Sequence, residues 1–486
     1  MKTVQKNLGG AFARLLIVTS LAAAFPAHAN DQSEIERLKA LIQELDQRVR
    51  VLDRKQELAA EEVVAKQKTA PVVNAGESGF GFKSADGQFE YKLRGLTQID
   101  YRNFSGTGFP SAVDGFLARR IRPTFEGTVF GKYGFRFTPE FGESGDGKSN
   151  TAPEQNKARV IDAYLDIKEI PEAQIRFGKF KPFVGLERLQ GGGDTKFIER
   201  SYVSNNILPN RDFGVSVFGD VLSNKLNYAF GVFNGVTDGA DNSTAQDLNN
   251  GKEYTARLFA TPFIGTDSAL QGLGFGISGT SGSSIGTSSI TNLPSYKTPG
   301  QANTFFNYNS NVLAYGNKTQ WSPQAYLYKG PFGLLTEYAE VSQGLKNTLV
   351  GGGTKLTAEN NAWHVTGSWL LTGEDASFKS VKPNSPFKNG VEGAWGAWEL
   401  VARYQENNLD KNLFSGTSWV SSSSGKDNAQ AAKTIGIGLN WYVNSSSRFA
   451  VNYDRTNFTG GKASGSAKTL DGKSEDLLVA RYQLSF

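Results

Sequence analysis

The sequence predicts an all-β protein: a sixteen-stranded antiparallel transmembrane β-barrel preceded by an N-terminal coiled-coil helix. Three observations predict it. Apolar and polar residues alternate with period two through most of residues 80–486, which makes strands with one apolar and one polar face. The connections between those strands alternate short and long, as in barrels with tight turns on one side of a membrane and long loops on the other. The chain also starts with an export-type leader, after which no apolar run approaches the ~18 residues of a spanning helix.

Met1–Ala29 combines Lys2, Lys6 and Arg14 with an apolar stretch from Phe12 to Phe25 and a small-x-small site at Ala27-His28-Ala29. Residues 1–29 are therefore expected to be a signal peptide. The formal charge is +5, and the leader holds three of those charges. The remainder is close to neutral, so no nucleic-acid partner is expected; the placement of Arg and Lys matters more than their sum. There is no cysteine, and the only histidines are His28 and His364. Disulfides, thiolate metal sites and cysteine nucleophiles are excluded, and His-based triads nearly so. No enzyme activity, cofactor or metal is expected, and His364 is read as a wall or girdle residue.

Residues 30–70 are rich in Glu, Lys, Arg, Gln, Leu and Ala. Ile35, Leu38, Ile42, Leu45, Val49 and Leu52 repeat in 3-4 spacing, a seam that faces a partner helix in a coiled coil. Ser33 with Glu36 reads as a capping box. Residues 71–79 read as a linker.

Strands are expected near 89–103, 117–130, 133–143, 157–168, 173–182, 212–220, 225–234, 252–261, 272–280, 320–328, 333–341, 360–371, 396–406, 434–443, 447–456 and 476–486. In the last of them Leu478, Ala480, Tyr482, Leu484 and Phe486 share one face and Arg481, Gln483 and Ser485 the other; Ile161, Ala163, Leu165 and Ile167 oppose Asp162, Tyr164, Asp166 and Lys168. A soluble sandwich would bury the apolar faces, whereas a barrel in lipid turns them outward around a wet lumen. The export leader, the terminal aromatic and the great length favour the barrel. Residues 372–395 break the rule as a long connection on the short-turn side, with Glu374-Asp375 expected in a solvated turn. Residues 281–319 read as a solvated outer loop, and Gly191-Gly192-Gly193 as a flexible hinge. An even strand number puts both barrel ends, and hence the coiled coil, on the periplasmic side.

Charge on a lipid face costs about 2–4 kcal/mol at mid-depth, so basic strand residues should line water. Arg120 and Arg122 share a face of FLARRIRPTFEG (116–127), and Arg119 joins them if a bulge re-aims it, as expected here. Arg136, Arg176, Lys179, Lys181 and Arg188 follow, with Asp162, Asp166, Glu126 and Glu140 as carboxylates across the bore. Rings of Arg and Lys in a pore favour anions, and the guanidinium fork suits phosphate.

The chain resembles the family of phosphate-selective porins O and P. The matching stretches are YKLRGLTQIDY (91–101), FLARRIRPTFEG (116–127), FGKFKPFVGLE (177–187), FIERS (197–201), NRDFGVSVFG (210–219), LTGE and SVKP (371–374, 380–383), GAWELVARY (396–404) and LNWYVN (439–444). The resemblance implies a trimeric sixteen-stranded outer-membrane barrel whose third loop folds inward. It also implies anion contacts at Arg119 and Arg120, at Arg188 in place of a lysine, and near the acidic Asp162. Leu96 and Gly134 stand where the family carries basic residues, while Arg122 and Lys181 are basic where typical members are not.

The expected function is passive diffusion of small anions, phosphate or polyphosphate, past Arg119, Arg120, Arg122, Arg136, Arg176, Lys181, Arg188 and Asp162. The alternatives are a general diffusion porin and a structural tether acting through the coiled coil. Expected partners are outer-membrane lipid, small anions, two further copies in a homotrimer, and a periplasmic partner of the coiled coil.

Overall fold

The computed structural model describes residues 32–77, 79–110, 112–142, 158–241, 250–349, 353–415, 419–423, 426–461 and 468–486. The expected signal peptide lies outside the described residues. The chain forms two compact units, residues 1–70 and 71–486. In the first, helix α1 (Gln32–Thr69) contains the whole expected seam. Its apolar residues stay open to solvent in the single chain, from Ile35 at 49% to Ile42 at 63% exposure. The helix is already under way at Gln32, so Ser33 lies in its first turn and is not the cap.

The second unit carries sixteen long strands: β1 (Glu90–Ser105), β2 (Gly115–Val129), β3 (Tyr133–Glu140), β4 (Arg159–Ile167), β5 (Gln174–Phe180), β6 (Asp212–Val221), β7 (Leu226–Phe233), β8 (Glu253–Ala260), β9 (Leu273–Ile285), β10 (Val312–Lys329), β11 (Phe332–Asn347), β12 (Thr354–Leu370), β13 (Ala397–Asn408), β14 (Ala431–Tyr442), β15 (Ser447–Thr459) and β16 (Ser474–Ser485). Each pairs antiparallel with the next, and β16 closes on β1 from Asp476↔Ser105 to Ser485↔Leu96. Closure removes the sheet edges that lipid could not satisfy. The ladder runs on to Phe486, which exchanges both backbone bonds with Gly95 at 2.9 and 3.1 Å.

Burial is inverted relative to a soluble protein. On β14, Thr434 and Asn440 are fully buried while Ile435 and Ile437 are 59% and 56% exposed. On β16, Arg481 is fully buried while Leu478 and Tyr482 are about two-fifths exposed. Polar side chains face inward and apolar ones outward, as a lipid-facing wall requires.

The interior is filled by connections. The third long one, residues 181–211, folds inward with a short helix α2 (Leu186–Leu189) and a wide turn at Val203–Ile207. Its irregular backbone needs hydrogen-bond partners, and wall side chains supply them. Asn452 Oδ1 accepts from Ile198 N at 2.7 Å, Gln405 Oε1 from Tyr202 N at 2.9 Å, and Arg481 Nη1 donates to Ile198 O at 2.7 Å. Gln98 and Gln483 donate to Gly192 O and Gly193 O at 2.9 and 3.1 Å. The three glycines are thus pinned and do not form a free hinge. A Cβ at Gly192 would stand 3.2 Å from both Leu96 Cδ2 and Arg122 Nη1, so glycine permits the close approach.

Several expectations change. Residues 72–76 and 79–83, expected as linker and barrel edge, form a hairpin whose second strand pairs with β1. Residues 281–319 are not a solvated loop. Strands β9 and β10 extend into them, a small hairpin at 295–307 follows, and Tyr296, Phe305 and Phe306 are fully buried. These rings pack with Tyr202 and Ile207 of the third loop, with Leu413, Trp419 and Leu470 from later connections, and with Phe458 at the end of β15. Glu374 is buried rather than solvated, and its carboxylate accepts from Asn384 N at 3.1 Å. Of the two readings of His364, the structure takes the wall: it lies on β12, fully buried beside Glu337 (3.5 Å) and Thr366 (3.0 Å). Ile161 turns inward, because the register slips at Thr138/Pro139 and Ile161 has no partner on β3. Pro139 has no N–H for the ladder, which suits it to a bulge.

Candidate functional site

Below the third loop, toward the short turns, the lumen opens into a cavity of about 820 Å³. Strands β1 to β6 contribute most of its charge. Their alternation turns Arg94, Arg122, Arg136 and Arg176 inward, and Lys181 and Arg211 join from the two ends of the third loop; Arg257 comes from β8. These seven cations face four lining carboxylates, Glu77, Asp162, Asp194 and Asp220. Three more carboxylates, Glu126, Glu140 and Asp166, pair with these cations from beside the lining, so the positive field of the wall comes from the cations left without a carboxylate, and a low-dielectric surround strengthens it.

Most of the cations are held by a carboxylate. Arg122 Nε lies 2.5 Å from Glu140, Arg176 Nε 2.7 Å from Asp166, and Arg211 Nε 2.8 Å from Asp162. Arg94 and Arg136 share Glu126, each at 3.4 Å. Two have no carboxylate within 4.0 Å among the described residues. Lys181 donates only to Gln190 O at 2.7 Å, and Arg257 bonds the neutral side chains of Gln324 and Asn227 at 3.1 and 2.9 Å.

Of the eight residues expected in the bore, Arg122, Arg136, Arg176, Lys181 and Asp162 line this cavity. Arg119, Arg120 and Arg188 do not. The register slips at Gln98/Ile99, leaving Arg119 unpaired on β2 as a bulge that points it inward. There Glu199 of the third loop claims it at 2.6 Å, together with Arg102 at 2.8 Å, Arg481 at 3.6 Å and Arg120 at 3.9 Å. Asp100 adds a second carboxylate, 2.6 Å from Arg481 and 2.8 Å from Arg102. Four guanidiniums thus surround two carboxylates and tie the loop to the wall.

Arg188 is buried in α2, and its Nε and Nη2 have no hydrogen-bond partner among the described residues. Burial, and then the charges of Arg200 and Arg211, hold its guanidinium below the ordinary value. Lys179, on β5, is spent on Asp241 at 2.6 Å.

Sequence reasoning missed Arg211 and Glu199 as members of these networks. Both lie within the conspicuous runs NRDFGVSVFG and FIERS, but their partners are set only when the loop folds in. Among the described residues one group could offer three metal-binding atoms, Glu187, Glu337 and His364. Its carboxylates are already occupied: Glu337 accepts from the backbone N–H groups of Leu186 and Glu187, and Glu187 from Ser201 N and Oγ. It anchors α2 to the wall.

Porin O of Pseudomonas aeruginosa is 24% identical over 427 residues, covering 79% of this chain and 86% of that protein. The chain is also similar to the outer membrane channel DcaP of Acinetobacter baumannii, at 13% identity and a TM-score of 0.48, covering 84% of this chain and 99% of that one. It is similar to the trimer form of OmpT of Vibrio cholerae at 12% identity and a TM-score of 0.47, over 81% and 99% of the two chains. Residues 89–486, the second unit from the start of β1 onward, match the family described as phosphate-selective porin O and P, and the chain belongs to that family, an outer-membrane channel built as a sixteen-stranded β-barrel.

Proposed function

We propose that the channel passes small anions, phosphate or polyphosphate, by passive diffusion and without turnover chemistry. The observation that carries this reading is that two cations of the cavity wall, Lys181 and Arg257, have no carboxylate within 4.0 Å among the described residues. An anion entering the cavity exchanges water for Lys181 and the outer edges of Arg136 and Arg211. It leaves because those groups share it. The relevant residues are then Arg122, Arg136, Lys181, Arg211 and Asp162, whereas Arg119 and Arg120 act at one remove, by holding Glu199. In a planar bilayer under a KCl gradient, the zero-current potential should report chloride over potassium, and added phosphate should lower the chloride current. Lys181→Gln should weaken both effects. A potential near zero in the wild-type channel would favour the general diffusion porin.

We also propose that the barrel works as a homotrimer and that α1 stands in the periplasm as a coiled coil reaching a periplasmic partner. The support is the half-exposed seam Ile35–Leu52, which a single chain leaves in water. Deleting residues 33–68 should lower the temperature at which the trimer dissociates in detergent, while the conductance of the remaining barrel persists. An unchanged dissociation temperature would count against the oligomeric coiled coil.

A further inference from the structure

Rings along a lumen wall call for an account, here as the cavity edge of a small apolar cluster in which Phe259, 6% exposed, packs with Leu186 and Leu335. On one side of the cavity three rings from separate elements come together: Phe259 on β8, Tyr326 on β10 and Phe378 from the long turn between β12 and β13. The Phe259 and Tyr326 centroids lie 5.3 Å apart, and those of Tyr326 and Phe378 5.7 Å apart. The strand between the first two, β9, carries Gly274 beneath them. A Cβ there would stand 2.6 Å from Tyr326 Cζ and 2.7 Å from Phe259 Cε1. The missing side chain is what lets the two rings meet across β9. Phe378 explains the anomalous length of its turn, whose backbone also accepts from Gln190 Nε2 at 2.7 Å.

At the edge of this ledge lies Arg257, with its guanidinium carbon 4.5 Å from the Phe259 centroid. Its bonds to Gln324 and Asn227 orient it without neutralising it, and it has no ion pair among the described residues. The opposite side of the cavity has aromatic residues too, and Arg176 lies 3.9 Å from the Tyr164 centroid. There, however, both branches of the fork are taken by Asp166, at 2.7 and 3.0 Å. Among the described residues lining the cavity, only the Arg257 side offers an unneutralised guanidinium beside a cluster of rings.

A hydrated inorganic anion makes use of Arg257 and of none of the three rings. A flat ring carrying a negative group uses all four. Its anionic end is met by a guanidinium already held in place, and its face by rings that favour tilted or offset contacts. We propose that this ledge binds planar aromatic anions, with aryl carboxylates as a cargo class of the channel. The proposal deepens the anion-channel reading and rests on it.

The test measures how benzoate, acetate and cyclohexanecarboxylate each block the chloride current of the purified full-length channel in a planar bilayer at neutral pH. All three are monoanions there, and only benzoate is aromatic. Benzoate should half-block at a concentration about tenfold below either of the others. Equal block by benzoate and acetate, or by benzoate and cyclohexanecarboxylate, overturns the assignment without recourse to any variant. In the Phe259→Leu/Tyr326→Leu double variant the gap should shrink below about threefold, and a persistent gap also overturns it. The zero-current potential in KCl, measured on the same wild-type membranes, reports anion preference separately. Failure of the underlying channel reading is thereby distinguished from failure of the ledge.

Discussion

Toward the long connections, the barrel interior holds Tyr296, Phe305, Phe306, Trp419, Phe458 and Leu470, packed with Val203 and Ile207 of the third loop. Toward the short turns it holds Arg122, Arg136, Lys181 and Arg211 around open space. The same sixteen strands enclose both. One half has a dry core of the kind found in soluble domains, built among the connections. The other has fixed charges and water. The third loop is the partition, apolar on the side of its residues 202–208 and charged where Glu199, Arg200 and Arg211 lie. The contrast shows that a barrel wall need not dictate what it encloses. Where connections supply apolar residues they pack a core of their own, and where they withdraw the strands' polar residues are left to meet a solute.

The partition can be broken at its ionic seam. Glu199→Gln removes the carboxylate shared by four buried arginines. Breaking one partner of a buried pair costs about 3–5 kcal/mol. This variant should show the largest fall in thermal stability in detergent, together with larger and noisier single-channel currents as the loop loosens. A silent Glu199→Gln would mean that the seam does not hold the loop.

A purely apolar lesion sharpens the contrast. Phe306 is fully buried, and Phe→Ala in a packed core costs about 3–5 kcal/mol. Here that loss should fall on the connections, with protease cleavage and amide exchange rising in residues 286–311 and the barrel staying closed. The smallest effect on stability belongs to the wet half. Lys181→Gln breaks no ion pair and should leave stability within about 0.5 kcal/mol while it changes selectivity.

The wall was readable from the sequence because alternation is a local signal. Strand β1 was expected at 89–103 and forms at 90–105, and β14 differs by only a few residues. The reading failed where local chemistry misleads. Gly316 and Asn317 look like loop residues, yet they belong to β10, which starts at Val312 rather than near 320. Ile161 sits on the apolar side of its alternation until the slip at Pro139 turns it inward. The site was legible as a set of inward arginines and not as a circuit. Arg119 and Arg120 look free in FLARRIRPTFEG, and nothing in that stretch announces that Glu199, 80 residues onward, will claim them. Arg257 lies on a strand whose alternation was plain, but its lack of a carboxylate is a property of its neighbours.

Outer loops of a barrel are ordinarily where substitutions and insertions accumulate, since they carry little of the fold. In this protein three of them are stitched together at their bases by Phe306, Trp419 and Leu470. A phage or an antibody pressing on one loop thus presses on residues that the other two also depend on. Escape by wholesale replacement of a single loop would leave a hole in the shared core. A substitution away from those anchors leaves the shared core untouched, whereas one at an anchor is felt in all three connections.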